Sequence, residues 1–186
     1  FIPQFLKNLN IENKKLILAT FHRRENWGEN IKNICCSISE ILDKTKDTFF
    51  LIPMHKNKII RDTIFDTLSN NPKVILTEPL KYNELISTMK ICHFIITDSG
   101  GIQEEAPSLN KPVLVLRNKT EREEAIKAGC SKLVGTEKTK ITQECMKLLN
   151  DKLIYKKMAK IKNPFGEGRA SRLILNVCDS FLKGKI

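Results

Sequence analysis

Lys15-Leu16-Ile17-Leu18-Ala19-Thr20-Phe21 is an unbroken, largely apolar run of strand length, and His22-Arg23-Arg24-Glu25-Asn26 follows it at once. A strand with one wet face alternates apolar and polar residues. A continuous run is the pattern of a strand covered on both faces, as in a parallel sheet. The pattern recurs at Phe49–Met54, Val74–Thr77, Phe94–Thr97, Pro112–Leu116 and Lys132–Val134. Between the runs, apolar residues step by three and four, as on one face of a helix. Ile31, Ile34, Cys35, Ile38, Ile41 and Leu42 form one such face; Ile59, Ile60, Ile64, Phe65 and Leu68 form another. Leu85, Met89 and Cys92 make a shorter one, and Ile141, Cys145, Leu148 and Leu149 a later one. Alternation this regular predicts an α/β fold: a doubly wound, Rossmann-like parallel sheet of about six strands. After residue 137 only helical spacing remains. Asn163-Pro164-Phe165-Gly166-Glu167-Gly168 then breaks the chain before a last helical face of Ala170, Leu173, Ile174, Val177, Cys178 and Phe181. The expected organisation is one domain over residues 1–168 and a terminal helix over 169–186.

Composition narrows the function classes. A chain of 186 residues, 41% hydrophobic and 28% charged, can bury a core without disulfide or metal staples. No apolar run approaches the roughly 20 residues of a membrane span, so no membrane partner is expected. The chain opens Phe1-Ile2-Pro3-Gln4, with neither Met nor a signal pattern, which suggests a piece of a longer, cytoplasmic protein. The net charge of +11 comes mostly from Lys and is spread over both halves. A nucleic-acid binder clusters its charge and favours Arg, so no nucleic-acid partner is expected. Cys35, Cys36, Cys92, Cys130, Cys145 and Cys178 form no C-x-x-C pair, so neither a zinc framework nor another metal site is expected. Cys35, Cys145 and Cys178 fall on apolar helical faces and read as small, reduced core residues.

In an open parallel sheet, ligands bind beyond the carboxyl ends of the strands. There the sequence places His22-Arg23-Arg24-Glu25-Asn26, then His55, then Asp98-Ser99-Gly100-Gly101, then Arg117 with Glu121 and Arg122. Two histidines, several arginines and a Gly-Gly turn on one rim predict an anion site, best suited to phosphate. Glycines let backbone N–H groups approach a ligand without Cβ interference, and Ser99 adds a hydroxyl donor. A helix beginning at Ile102–Leu109 would turn its N-terminus toward the anion. The turn is not the G-x-G-x-x-G fingerprint, so a dinucleotide is disfavoured and no cofactor is called for. Glu104 and Glu105 point about 100° apart on a helix and cannot form an acid–base pair. One of them could bind a diol such as ribose, or both could simply complement the helix dipole. His93, leading into a strand, reads as structural.

Together these residues resemble the non-hydrolysing UDP-N-acetylglucosamine 2-epimerases. The resemblance rests on Thr20–Asn26, Pro53-Met54-His55, Thr97–Ser108, Lys111–Val115, Thr120-Glu121-Arg122, Glu124-Ala125, Leu133–Thr136 and Asn163–Ser171. It runs co-linearly from about Leu16 to Leu182 and covers the carboxyl-terminal half of such an enzyme. It implies a GT-B-like architecture of two Rossmann-like domains with the active site between them, and this chain as the UDP-binding one. The implied reaction converts UDP-GlcNAc to UDP-ManNAc by elimination and re-addition of UDP. The catalytic carboxylates would lie in the missing amino-terminal domain, so the isolated half would be inactive. The resemblance assigns Ser99, Gly100 and Gly101 to the diphosphate and Glu105 to the ribose hydroxyls. It makes His22 a catalytic residue beside the diphosphate and the reacting sugar, where His55 and Arg122 also bind. It assigns Arg23 to a second, regulatory nucleotide sugar. It also implies a homodimer at full length, and a final helix from Arg169 that crosses to the missing domain and leaves its apolar face partly exposed here. Two departures, Glu123 for a usual Pro and Phe165 for a frequent Tyr, remove no ligand. Two other readings fit the same residues: the donor-binding half of a GT-B glycosyltransferase, and a non-catalytic UDP-sugar-binding module.

Overall fold

The computed structural model describes residues 13–185. Residues 1–12 of the expected domain and Ile186 of the terminal segment lie outside the described residues. The sheet has six strands: β1 (Lys15–Thr20), β2 (Thr48–Pro53), β3 (Val74–Thr77), β4 (Phe94–Thr97), β5 (Val113–Val115) and β6 (Ser131–Leu133). Their order is β3-β2-β1-β4-β5-β6, every pair parallel. This is the doubly wound arrangement expected, and the order reverses between β1 and β4.

The continuous apolar runs are explained by two buried faces. Ile17, Ala19, Phe50, Ile52, Phe94, Ile96 and Leu114 join one core cluster. Leu16, Leu18, Leu51, Ile95, Val113 and Val115 join the other. The alternation is the period of two of an extended chain. The first face is covered by α1 (Glu29–Lys44), α2 (Lys58–Leu68) and α6 (Lys138–Asn150), the second by α3 (Tyr82–Ile91) and α4 (Gly100–Glu105). Ile31, Ile34, Ile38, Ile41 and Leu42 of α1 are at most 1% exposed. Their burial contributes on the order of 10 kcal/mol before chain entropy is set against it. The chain continues through α5 (Glu123–Ala128), α7 (Lys152–Ala159) and α8 (Ala170–Leu182).

Several expectations shift. The last strand runs one residue earlier than the apolar run suggested. The helix after the Ser-Gly-Gly turn begins at Gly100, two residues early, and passes at Ala106–Leu109 into a 3-10 turn. Pro107 has no N–H to continue the α-helical ladder. Ile59 and Phe65, assigned to the buried face of α2, are 61% and 57% exposed. Cys178 is exposed, not a core residue, because α8 buries none of its residues; Cys36 is exposed too. Leu173, Ile174, Val177 and Phe181 are all more than half exposed.

Candidate functional site

The reversal of strand order opens a crevice between the carboxyl ends of β1 and β4, and the cross-strand contacts there are polar. Thr20 and Thr97 are register partners, and their hydroxyls share a 2.6 Å hydrogen bond. Asp98, next in the chain, is fully buried. Its Oδ2 accepts the backbone N–H groups of His22 and Arg23, each at 2.8 Å, and Asn26 Nδ2 at 3.0 Å. Asn26 Nδ2 also donates to the Leu116 carbonyl, and Trp27 Nε1 to the His22 carbonyl. The His22–Asn26 loop is thus folded around one carboxylate. Its His22 ring stacks on His55, with centroids 5.2 Å apart and planes 4° from parallel. Asn57 N–H donates to His55 Nδ1, so outward donation from His55 falls to Nε2.

These rings form one wall of a cavity of about 300 Å³. Ser99, Gly101, Glu105 and Thr20 line it too. Ser99 is the N-cap of α4, yet its side chain makes no cap hydrogen bond. An N-cap serine normally satisfies one of the free N–H groups of the first turn. Here both the hydroxyl and those N–H groups stay available, while Ser99's own N–H is taken by Thr97 Oγ1 at 2.9 Å. Gln103 steadies the turn: its Nε2 donates to the Ser99 carbonyl, and its Oε1 accepts the Thr120 hydroxyl.

The two glycines serve different purposes, and neither has a positive φ. A Cβ on Gly101 would meet nothing within 4 Å, so its backbone is bare toward the cavity. A Cβ on Gly100 would stand 2.9 Å from Arg122 Cζ. Arg122 therefore packs behind the turn and does not line the cavity. Its Nε donates to Glu104 at 2.8 Å, and its Nη1 stands 3.5 Å from Glu121. Arg117 is likewise not a free rim cation. Only 7% exposed, it donates to Glu25 at 2.7 Å and to both oxygens of Glu121 at 2.8 and 3.0 Å. Glu121, then Glu25, hold its pKa above the ordinary value against burial, and Arg117 holds Glu121 down to about 2. The loop is anchored through Glu25 to Arg117, not to Arg23 or Arg24. The Arg23 and Arg24 side chains form no ion pair with a carboxylate within the 22–26 loop, and Arg23 lies outside the cavity lining. Burial, then neighbouring Glu104, push the Glu105 carboxyl above its usual range.

Of the proposed residues, the fold gathers His22, His55, Ser99, Gly101 and Glu105 around one cavity. It sets Gly100 and Arg122 behind that cavity and Arg23 beside it. Pro53, Met54, Pro79, Leu80, Tyr82 and Leu85 complete the lining with an apolar end that the sequence reading missed. The rule that located the rest would have found part of it, because Pro79-Leu80 follows the carboxyl end of β3. Among the described residues no cluster of metal-ligating side chains gathers, and no helix is long and apolar enough to cross a membrane.

A family model described as UDP-N-acetylglucosamine 2-epimerase matches residues 2–179. The chain belongs to this family. It is 48% identical over 174 residues to the UDP-N-acetylglucosamine 2-epimerase of Campylobacter jejuni, covering 94% of this chain and 45% of that protein. It is 51% identical over 164 residues to that of Neisseria meningitidis, covering 88% and 44%. A structure of S. aureus MnaA with UDP superposes with a TM-score of 0.93 at 40% identity, covering all of this chain and 50% of that one. The N. meningitidis UDP-GlcNAc 2-epimerase bound to UDP-GlcNAc gives 0.89 at 48% identity, covering 94% and 47%. The C-terminal domain of a Francisella tularensis group 1 glycosyl transferase, at 13% identity and a TM-score of 0.63, shares the fold alone. This epimerase-family chain spans about half the length of the curated relatives it matches.

Proposed function

We propose that this chain is the UDP-holding half of a UDP-N-acetylglucosamine 2-epimerase, an isomerase that interconverts UDP-GlcNAc and UDP-ManNAc. The observation that carries the reading is the cavity at the strand-order reversal, lined by both polar and apolar side chains. Ser99, the bare backbone at Gly101 and the two stacked histidines suit a diphosphate. Pro79, Leu80, Tyr82 and Leu85 suit the flat face of a pyrimidine, and Glu105 can accept two ribose hydroxyls. The relatives crystallised with UDP and with UDP-GlcNAc support the same ligand.

The sugar C2 proton is not α to a carbonyl, so its direct removal is hard. In the proposed reaction the C1–O bond breaks with its electron pair on the departing UDP, while a base takes the C2 proton. This leaves 2-acetamidoglucal; UDP then re-adds at C1 as C2 is protonated on the other face. Negative charge grows on the diphosphate as the C1–O bond breaks, and fixed donors aimed at it favour that step. This chain supplies those donors, with His22 closest to the buried carboxylate. The base and acid at C2 fall to the part of the relatives that this chain does not span, so the isolated chain binds UDP without turnover. We assign residues 1–168 to the UDP-binding domain. The exposed apolar side of α8 covers the other domain, consistent with a helix that buries nothing here. Arg122 acts on the diphosphate through its packing against Gly100, and Arg23, beside the cavity, meets a second nucleotide sugar. A homodimer acting in the cytoplasm belongs to the same proposal.

Calorimetric titration with UDP and UMP tests the reading. UDP should bind at least about tenfold more tightly than UMP, from one or two additional charge-assisted hydrogen bonds. A Ser99→Ala, Glu105→Ala double variant should lose most of that affinity. Equal affinity for the two nucleotides, or no binding by the folded chain, would defeat the assignment.

A further inference from the structure

We propose that Asp98 is a positioning residue for His22: it holds the loop that carries the ring and keeps the proton on Nδ1, leaving Nε2 to face the cavity. An ionised carboxylate without a partner is very costly to bury. The Asp98 side chain is 0% exposed, and among the described residues no lysine or arginine pairs with it. All three donors to its Oδ2 belong to the segment that presents the histidine: two backbone N–H groups at positions 22 and 23, and the Asn26 amide. Its other oxygen, Oδ1, is buried and has no hydrogen-bond partner among the described residues. The group that faces Oδ1 is His22 Nδ1, 3.7 Å away. That is too long for a hydrogen bond, but the His22 ring is 42% exposed, so burial does not lock it at that distance. Closing by about 1 Å gives an ordinary N–H···O bond, and such bonds are often long before a ligand arrives.

Only a protonated Nδ1 can donate to a carboxylate, so the contact selects one tautomer. His55, stacked on the outer face, restricts the tilt of the ring plane. A proton carried by Nε2 then meets the anion in the cavity, with the Asp98 charge behind the ring to balance it. That last role, toward a diphosphate, rests on the function proposed above; the link between Asp98 and the His22 tautomer does not.

The test is the ring ¹⁵N spectrum of the three histidines in the labelled 186-residue chain, with His22 assigned by loss of its signals in His22→Gln. Without ligand, His22 should carry its proton on Nδ1, and saturating UDP should leave it there. Asp98→Asn keeps a carbonyl oxygen for the three donors but turns an NH₂ toward His22 Nδ1. The ring should then switch to the Nε2–H tautomer, moving the Nδ1 resonance from the protonated to the unprotonated range. A merely structural carboxylate would not cause that switch. An unprotonated Nδ1 in the unmodified chain overturns the proposal, as does a folded Asp98→Asn chain with the tautomer unchanged. If Asp98→Asn does not fold, the spectrum of the unmodified chain decides alone. If UDP does not bind, the functional reading fails, and the ligand-free spectrum still decides this one.

Discussion

Replacing Gly101 by alanine should make the free protein more stable and the UDP complex weaker. Gly101 lies in the first turn of α4 without a positive φ, so alanine adopts its backbone conformation unstrained. Nothing lies within 4 Å of the added methyl, so no packing cost opposes it. Alanine is favoured over glycine in a helix by about 0.5–1 kcal/mol, which for a chain of this size raises Tm by about 1–4 °C. Gly101 lines the cavity where we place the diphosphate, so the methyl narrows it. Displacing phosphate oxygens from one or two charge-assisted N–H contacts costs about 1.5–3 kcal/mol each, so UDP affinity should fall at least about tenfold. Scanning calorimetry of the ligand-free chain and titration with UDP measure the two effects on one sample. Gly100→Ala is the internal contrast. Its Cβ meets Arg122 Cζ at 2.9 Å and both terminal nitrogens at 3.2 Å, so the helix gain is offset by displacement of an arginine tied to Glu104. A Gly101→Ala chain that binds UDP within about twofold of the original would show that the backbone does not approach the ligand there. A lowered Tm would refute the claim of open space.

Thiol labelling under native conditions should modify Cys36 and Cys178 and spare Cys35, Cys92, Cys130 and Cys145, which are buried. Intact-mass measurement should show two adducts before denaturation and six after; more than two in the folded chain would contradict the burial. Burial, with Lys15 adding to it, holds His93 down to about 4, against about 6.5 in an unfolded chain. A depressed histidine stabilises the fold above its unfolded value, and that stability is lost as pH falls from about 6.5 toward 4. His93→Phe, which keeps an aromatic ring against Tyr155, should reduce the stability lost between pH 7 and pH 4.5 by about 2 kcal/mol after allowance for partial exposure. Urea denaturation at both pH values checks this, and equal losses in the two chains would exclude His93 as the source.

The parallel sheet was legible because a strand buried on both faces leaves no polar positions, and Leu16–Ala19 and Phe94–Ile96 read that way without alignment. The strand-end rule places His22, His55 and Ser99 on one rim, and all three line the same cavity, since topology alone fixes which ends share a rim. It could not tell which rim cations face a ligand and which face a carboxylate. Arg117 and Glu25 are 92 residues apart, and their pairing is a property of the folded rim, invisible to local spacing. The sequence reads both glycines as room for a ligand to approach, and only at Gly101 is the space beside the backbone open. Gly100 is glycine because an arginine 22 positions later lies against it. The exposed apolar side of α8 was foreseen only through the family resemblance, because a helical stripe is the same in sequence whether it meets its own core or another domain.

The pairing of the arginines bears on how such a site can work. Arg117 and Arg122 are each held by two carboxylates, so they give the rim shape without giving the cavity net positive charge. What the cavity itself presents are the Ser99 hydroxyl, the backbone of the first turn of α4, two histidine rings and the Glu105 carboxyl. In an elimination and re-addition, UDP must be retained between steps, yet substrate must not be bound as tightly as the transition state. Only interactions that strengthen as charge develops on the diphosphate accelerate the step. A histidine backed by the buried Asp98 can strengthen as that charge grows, because a proton between Nε2 and a phosphate oxygen responds to it. In the reaction proposed above, the carboxylate that organises the loop would make His22 a donor whose interaction is greatest as the C1–O bond breaks.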